Sequence, residues 1–295
     1  MSEAGFRFVV AGGGLRLDRL VANATGRGRR TVRRWIDNGL VRVNGRLAGA
    51  AETPGAGSEV LVSADESPGL EAGLNLTILH QDADWLVVAK PAGLHCERGK
   101  SPGSVAELLD ARFGDLSRIG DRPEESGLVH RIDRDTSGVL LVARNRPAYL
   151  RLRTAFGRGE ARKQYLALLA GRLGGGRDVD IPLARRAGRM IPAGAHDQAT
   201  YVRTRFESLE AGDGWTLVLA TMRTGAMHQV RVHAASIGHP LFGDVLYGGP
   251  LLAGSARSGQ LLHALRVRVG GEIDVSVGPP SDFLAALAAL RLGGP

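Results

Sequence analysis

Residues 127–143 bring together His130, Arg131, Asp133, Arg134 and Asp135, then Thr136-Ser137-Gly138, then the apolar run Val139-Leu140-Leu141-Val142-Ala143. Asp135 to Gly138 are turn formers, and the run that follows is long enough for a buried strand. Polar side chains at the mouth of a buried strand are where rigid scaffolds usually present chemistry. In general, a carboxylate beside a guanidinium is favoured in its charged form, which suits a nucleophile better than a general acid. Spacing alone leaves Asp133 and Asp135 level for that role. Each can equally do no more than hydrogen-bond the turn.

Two downstream groups can complete such a site. In His228-Gln229-Val230-Arg231, His228 and Arg231 are three residues apart and share a face if the segment is helical, so Arg231 can supply the cation. Tyr165, in Lys163-Gln164-Tyr165, reads on its own as a core aromatic with its hydroxyl at a rim. Metal ligation by His130 with Asp133, or by His228, His233 and His239, has little support. No Cys cluster or His-Glu-x-x-His string occurs, and His228 and His233 diverge on a helix. The string Gly99-Lys100-Ser101-Pro102-Gly103 resembles a serine-hydrolase elbow, but Pro102 lacks the backbone N–H that mechanism needs. Neither a metal nor a cofactor is expected.

The elements that would hold these residues fall into two parts. Leu15 to Val21 reads as an amphipathic helix ending near Gly26, and Thr31 to Asn38 as a second, with Thr31 as N-cap and Gly39 as stop. Val41-Arg42-Val43 then alternates into Asn44-Gly45, a tight hairpin signal. Residues 63–75 are acidic and rich in turn formers, as a linker would be. Beyond them, strands are expected near Leu76–Leu79, Trp85–Ala89, Lys163–Leu169 and Trp215–Thr221. Helices are expected over Ser104–Phe113, from an Asn145 cap to Phe156, and over Met227–Ile237. The fold class is α+β with a mixed sheet: a small domain over 1–64, a linker over 65–75 and a larger domain over 76–295.

Charge identifies the partner. The net charge is +8, and residues 1–50 hold ten arginines against three acids, so the remainder is nearly balanced. Arg16, Arg27, Arg29, Arg30, Arg33 and Arg34 are too dense for an ordinary solvated face and point to nucleic acid. No apolar run approaches the roughly 18 residues of a membrane span. The start lacks a secretory pattern, and the single cysteine, Cys96, has no internal partner, so a cytoplasmic location is expected.

Residues 14–62, through Arg16-Leu17-Asp18 and Gly39-Leu40-Val41-Arg42-Val43-Asn44-Gly45, resemble the S-four RNA-binding domain. Residues 76–285 resemble the RluA-like pseudouridine synthases. The likeness is carried in order by Lys90-Pro91-Ala92-Gly93, His130-Arg131-Ile132-Asp133 with Thr136-Ser137-Gly138, Lys163-x-Tyr165, Thr224-Gly225-x-x-His228-Gln229-x-Arg231 and Gly243-Asp244-x-x-Tyr247. The resemblance implies that Asp133 attacks the target uridine, at the anomeric carbon or on the base, and that Asp135 is a turn former. Tyr165 would stack on the uracil, Arg231 would pair with Asp133, and Arg131 would fill the space left by the extruded base. His130, His228 and Gln229 would join the RNA contacts. Ribosomal RNA of the large subunit is the favoured substrate, ahead of transfer RNA, with a monomeric enzyme that touches no membrane. A non-catalytic RNA-binding or ribosome-assembly protein is the alternative. Ala226-Met227 departs from the family's Arg-Thr/Ser, removing a cation and a helix-capping hydroxyl.

Overall fold

A computed structural model describes residues 6–25, 32–33, 35–36, 41–62, 76–99, 103–114, 116–186, 188–252 and 259–293. The chain divides into two compact units, Met1–Gly73 and Leu74–Pro295.

The first unit holds β1 (Phe6–Val9), α1 (Leu17–Thr25), β2 (Val41–Val43), β3 (Arg46–Leu47) and β4 (Glu59–Val62). The strands form an antiparallel sheet in the order β1-β4-β2-β3. Asn44 and Gly45 both take positive φ, 49° and 78°, as a two-residue hairpin with right-handed twist requires. Leu17 and Val21 pack with Val32, Trp35 and Ile36 onto Val41, Val43, Val60 and Val62. Residues 32, 33, 35 and 36 are helical, within the expected second helix. Its proposed cap and stop, and the expected linker at 65–75, lie outside the described residues.

The second unit runs β5 (Thr77–Gln81), β6 (Trp85–Lys90), α2 (Val105–Phe113), β7 (Ser137–Ala143), α3 (Arg146–Gly157), β8 (Ala161–Ala170), β9 (Gly176–Val179), β10 (Leu183–Arg186) and β11 (Arg189–Pro192). It continues with β12 (Thr204–Gly212), β13 (Trp215–Met222), α4 (Gln229–Ser236), β14 (Leu262–Val269), β15 (Ile273–Ser276) and α5 (Ser281–Arg291). Strands β5-β6-β7-β14-β8-β13-β12-β9 make a mixed sheet, with β15 beside β14 and β10–β11 as a separate hairpin. The β7–β14 pair is parallel.

All seven residues of β7 are buried, because both faces of the sheet are covered there. Leu140 and Val142 meet the apolar face of α2 (Val105, Leu108, Leu109), and Val139, Leu141 and Ala143 meet that of α3 (Ala148, Tyr149, Leu152). Gly138 has φ 121°, and a Cβ there would collide with the Ala264 carbonyl of β14, so only glycine lets the two strands close. Both helices begin on capped ends. Ser104 and Glu107 form a capping box on α2, and the Asn145 side chain accepts the Ala148 N–H on α3 at 2.9 Å. Helix α4 starts at Gln229 rather than at the expected Met227, because His228 has a left-handed backbone, φ 55°.

Candidate active site

Asp133 lies in the loop that enters β7, and three residues far from it in the chain hold that loop. The buried Lys90 ammonium, at the end of β6, donates to the carbonyls of Pro91 (2.9 Å), Leu94 (2.7 Å) and Arg134 (2.7 Å). Cys96 Sγ donates to the Ile132 carbonyl at 3.2 Å, so the backbone is fastened on both sides of Asp133. Burial pushes the Cys96 thiol up, which keeps it a protonated donor. Gln260 donates to Thr136 Oγ1 at 3.0 Å, and the Thr136 N–H closes the turn onto the Asp133 carbonyl at 3.1 Å.

Helix α4 brings the counter-charge. Arg231 Nη1 donates to Asp133 Oδ2 at 3.0 Å, while its Nε and Nη2 donate to the two oxygens of the fully buried Asp244, each at 2.7 Å. Burial works against the guanidinium charge, but the bonds to Asp244 and the two carboxylate charges outweigh it and hold Arg231 above the usual arginine range. Tyr247 lies beneath, its ring centroid 5.1 Å from the Arg231 Cζ. The Tyr247 oxygen accepts the Met190 N–H at 3.2 Å and shares a hydrogen bond with His228 Nδ1 at 2.8 Å. His228 Nε2 faces Asp133 Oδ1 across 3.9 Å. Burial lowers the His228 pKa against the pull of Asp133, in keeping with a neutral ring.

These groups surround a cavity of about 240 Å³ whose wall includes Glu97, Arg131, Asp133, Asp135, His228 and Arg231. That volume is below the roughly 300–1,000 Å³ of pockets for drug-sized ligands and suits a single flat base. Arg131 is half-exposed on the wall and donates through Nη1 to both oxygens of Glu97 at 3.0 Å. Tyr165, on β8, is buried. Burial first and the nearby Asp133 charge second push its hydroxyl well above the usual range, so it is a neutral phenol at pH 7.

Two expected site residues are instead part of the scaffold. His130 Nε2 accepts the Leu141 N–H at 3.0 Å, and its ring stacks on Phe156 at 4.8 Å, so it braces the start of β7 outside the cavity wall. Burial, with the charges of Lys163 and Arg153, pushes its pKa down to about 3 and leaves a neutral acceptor. Gln229 is spent entirely within the fold. It accepts from Thr224 Oγ1 (2.9 Å) and the Ala226 N–H (3.2 Å), and donates to the Arg203 carbonyl and Thr204 Oγ1 at 3.0 Å. This Gln229 bracket ties the segment entering α4, and Ala226 and Met227 pack on an apolar cluster around Leu183, Met190 and Val232. The N-cap position of α4 is His228, which makes no side-chain cap bond.

In the first unit, Arg16 and Arg33 are exposed, and Arg16 also donates to the buried Asp18 at 3.3 Å. Arg27, Arg29, Arg30 and Arg34 lie outside the described residues. Asp244, Tyr247, Lys90, Gln260 and Glu97 join the site without having been singled out for it. The first three stand inside the family motifs, and Gln260 opens Gln260-x-Leu262-His263-Ala264, which resembles the family's C-terminal strand, whereas nothing in its sequence neighbourhood marks Glu97. No cluster of three or more His, Cys, Asp or Glu arranged to hold a metal occurs among the described residues, and no described helix is long and apolar enough to cross a membrane.

A carboxylate with a fixed counter-cation on a small cavity, in a chain that also carries a basic module, is an arrangement suited to chemistry on one nucleotide. Comparison with known proteins identifies the family. Residues 84–236 match the model for RNA pseudouridylate synthase, and residues 15–60 match the S4 domain. The chain is 31% identical to the ribosomal large subunit pseudouridine synthase D of Haemophilus ducreyi, over 94% of this chain and 91% of that one. It is 33% identical to an uncharacterized RNA pseudouridine synthase of Bacillus subtilis, over 95% of each. The solved structure of human RNA pseudouridylate synthase domain containing 1 superposes with a TM-score of 0.57 at 29% identity, covering 72% of this chain and 86% of that one. The chain belongs to the RNA pseudouridylate synthase family: it is an isomerase that forms pseudouridine in RNA.

Proposed function

We propose that this enzyme isomerises uridines of large-subunit ribosomal RNA, with Asp133 as its nucleophile. The observation that carries the reading is the Asp133–Arg231 pair at 3.0 Å on the wall of a cavity sized for one base. Arg231, locked on Asp244, is a fixed partner for the carboxylate before and after attack. Asp133 attacks the anomeric carbon or the base; the glycosidic bond breaks, the uracil turns, and a carbon–carbon bond forms through its carbon five. The bond to Asp133 breaks again to return the carboxylate, carbon five loses its proton and the freed N1 takes one up, so the product is an isomer and no redox partner is needed. Tyr165, a neutral phenol beside Asp133, stacks on the uracil. Arg131, on the rim, enters the gap that the extruded base leaves. The large-subunit target is supported by the names of the Haemophilus ducreyi and other relatives. The basic module over 1–64 supplies affinity for structured RNA, and the enzyme acts as a cytoplasmic monomer.

The test is release of tritium from RNA labelled at uridine carbon five. Ribosomal RNA is expected to release it and Asp133→Asn to abolish release. Release from transfer RNA alone would move the substrate. No release from either RNA, with binding intact, would leave the non-catalytic RNA-binding reading.

A further inference from the structure

Glu97 has no part in the chemistry above, yet its carboxylate lies on the wall of a cavity that must admit a polyanion. An acid there repels phosphate, so its presence calls for a compensating role. Its partners show what that role is. Glu97 is 8% exposed, and Arg122 Nη2 holds it at 3.0 Å. Arg122 is itself fixed on Glu125 Oε1 at 2.8 and 3.1 Å. The backbone on either side is bonded, with the Arg98 N–H on the Glu124 carbonyl (3.1 Å) and the Ala106 N–H on the Cys96 carbonyl (3.0 Å). The carboxylate cannot follow a departing partner. Both partners are half-exposed, Arg122 at 58% and Arg131 at 53%, but Arg122 is also tied to Glu125, so Arg131 is the partner able to move.

We propose that Glu97 is a latch, a positioning residue that parks the Arg131 guanidinium on the cavity wall until RNA phosphates and the extruded base draw it off. The proposal rests on the role given to Arg131 above. Part of the binding free energy of each RNA goes into opening the latch, so an RNA that engages the site incompletely leaves Arg131 parked and its base unextruded. Arg122 Nη2 keeps its bond to Glu97 when Arg131 departs, so opening the latch leaves Glu97 paired rather than stranded.

The test is a double-mutant cycle on the full chain with Glu97→Gln, Arg131→Gln and the double variant, read as tritium release and as filter-binding Kd on a large-subunit ribosomal RNA transcript. Glu97→Gln is expected to lower KM and Kd by roughly two- to fivefold, the range of a part-exposed ion pair, with kcat unchanged. In the Arg131→Gln background that gain should vanish. An unchanged or higher KM in Glu97→Gln overturns the latch. So does a gain that persists without Arg131, because Glu97 would then act only by repelling phosphate. If Glu97→Gln does not fold, Glu97→Asp, which keeps the charge but withdraws it by one methylene, is expected to shift KM and Kd in the same direction, and failure to do so overturns the latch too. A wild-type protein that releases no tritium overturns the proposed function, and the cycle in Kd still decides the latch.

Discussion

Arg231 serves two carboxylates of unequal exposure, and the inequality sets their roles. Asp244 is fully buried and takes two of the guanidinium's hydrogen bonds, which fixes the plane and aims the third nitrogen at the 22%-exposed Asp133. Replacing Asp244 by Asn strands a buried cation on one partner, so a loss of about 3 kcal/mol is expected in urea denaturation, together with a fall in kcat. Asp133→Asn removes the more exposed partner instead and is expected to abolish turnover with a smaller loss of stability. His130 allows a prediction in pH. Its pKa is pushed down to about 3 in the fold, against about 6.5 in the unfolded chain. Between those values the unfolded state binds the extra proton, so stability falls as the pH is lowered, by roughly 1.4 kcal/mol per pH unit for this group. His130→Gln, which keeps an acceptor for Leu141 N–H, is expected to flatten that part of the thermal-melting profile between pH 6 and 4. An unchanged slope would mean that the ring's burial is not what sets the acid sensitivity.

At the scale of elements, the loop carrying Asp133 is only as precise as the strands that hold it. Lys90 caps three carbonyls from the end of β6, and Gly138 lets β7 close on β14. Gly138→Ala must either open the β7–β14 pair or leave its φ of 121°, and is expected to cost at least about 2 kcal/mol in chemical denaturation. Ser104→Ala, which removes only the cap of α2, is expected to cost about 1 kcal/mol. What was legible beforehand follows the same division. Strand β7, the Asn44-Gly45 hairpin and the Asn145 and Ser104 starts announce themselves through periodicity and caps local to the chain. The partners of Asp133 do not. Its sequence neighbours Arg131 and Arg134 turn to Glu97 and to the Gly93 carbonyl, while the cation that bonds it comes from 98 residues away. Arg231 is legible from its helical spacing to His228 as well as from a motif, whereas Glu97 is not, because its setting exists only in the folded neighbourhood of Arg122 and Arg131. The four-residue strands β9 to β11 are not legible, since so short a strand is defined by its partner more than by its own pattern, and the longer β12 and helix α5 are likewise absent from the sequence reading.

For the whole molecule, the proposed function assigns affinity and chemistry to different residues, and salt is the variable that separates them. The cavity spends its charges internally: Arg231 on two aspartates and Arg131 on Glu97. Arg27, Arg29, Arg30, Arg33 and Arg34 belong to the first unit, far in sequence from Asp133. Each arginine that meets a phosphate releases counterions, so replacing Arg27, Arg29, Arg30, Arg33 and Arg34 by Gln should flatten the plot of log affinity against log salt by roughly 0.7–0.9 per lost contact. The same variant is expected to raise KM on ribosomal RNA and leave kcat at saturating RNA unchanged, because the residues of the cavity wall all belong to the second unit. A short single-stranded oligonucleotide containing the target uridine gives the sharper comparison. If the basic module contributes only sequence-independent affinity for structured RNA, wild type and the five-fold variant should process that oligonucleotide at similar rates. A lowered kcat on both substrates would mean that the module also sets the geometry in which the uridine reaches Asp133.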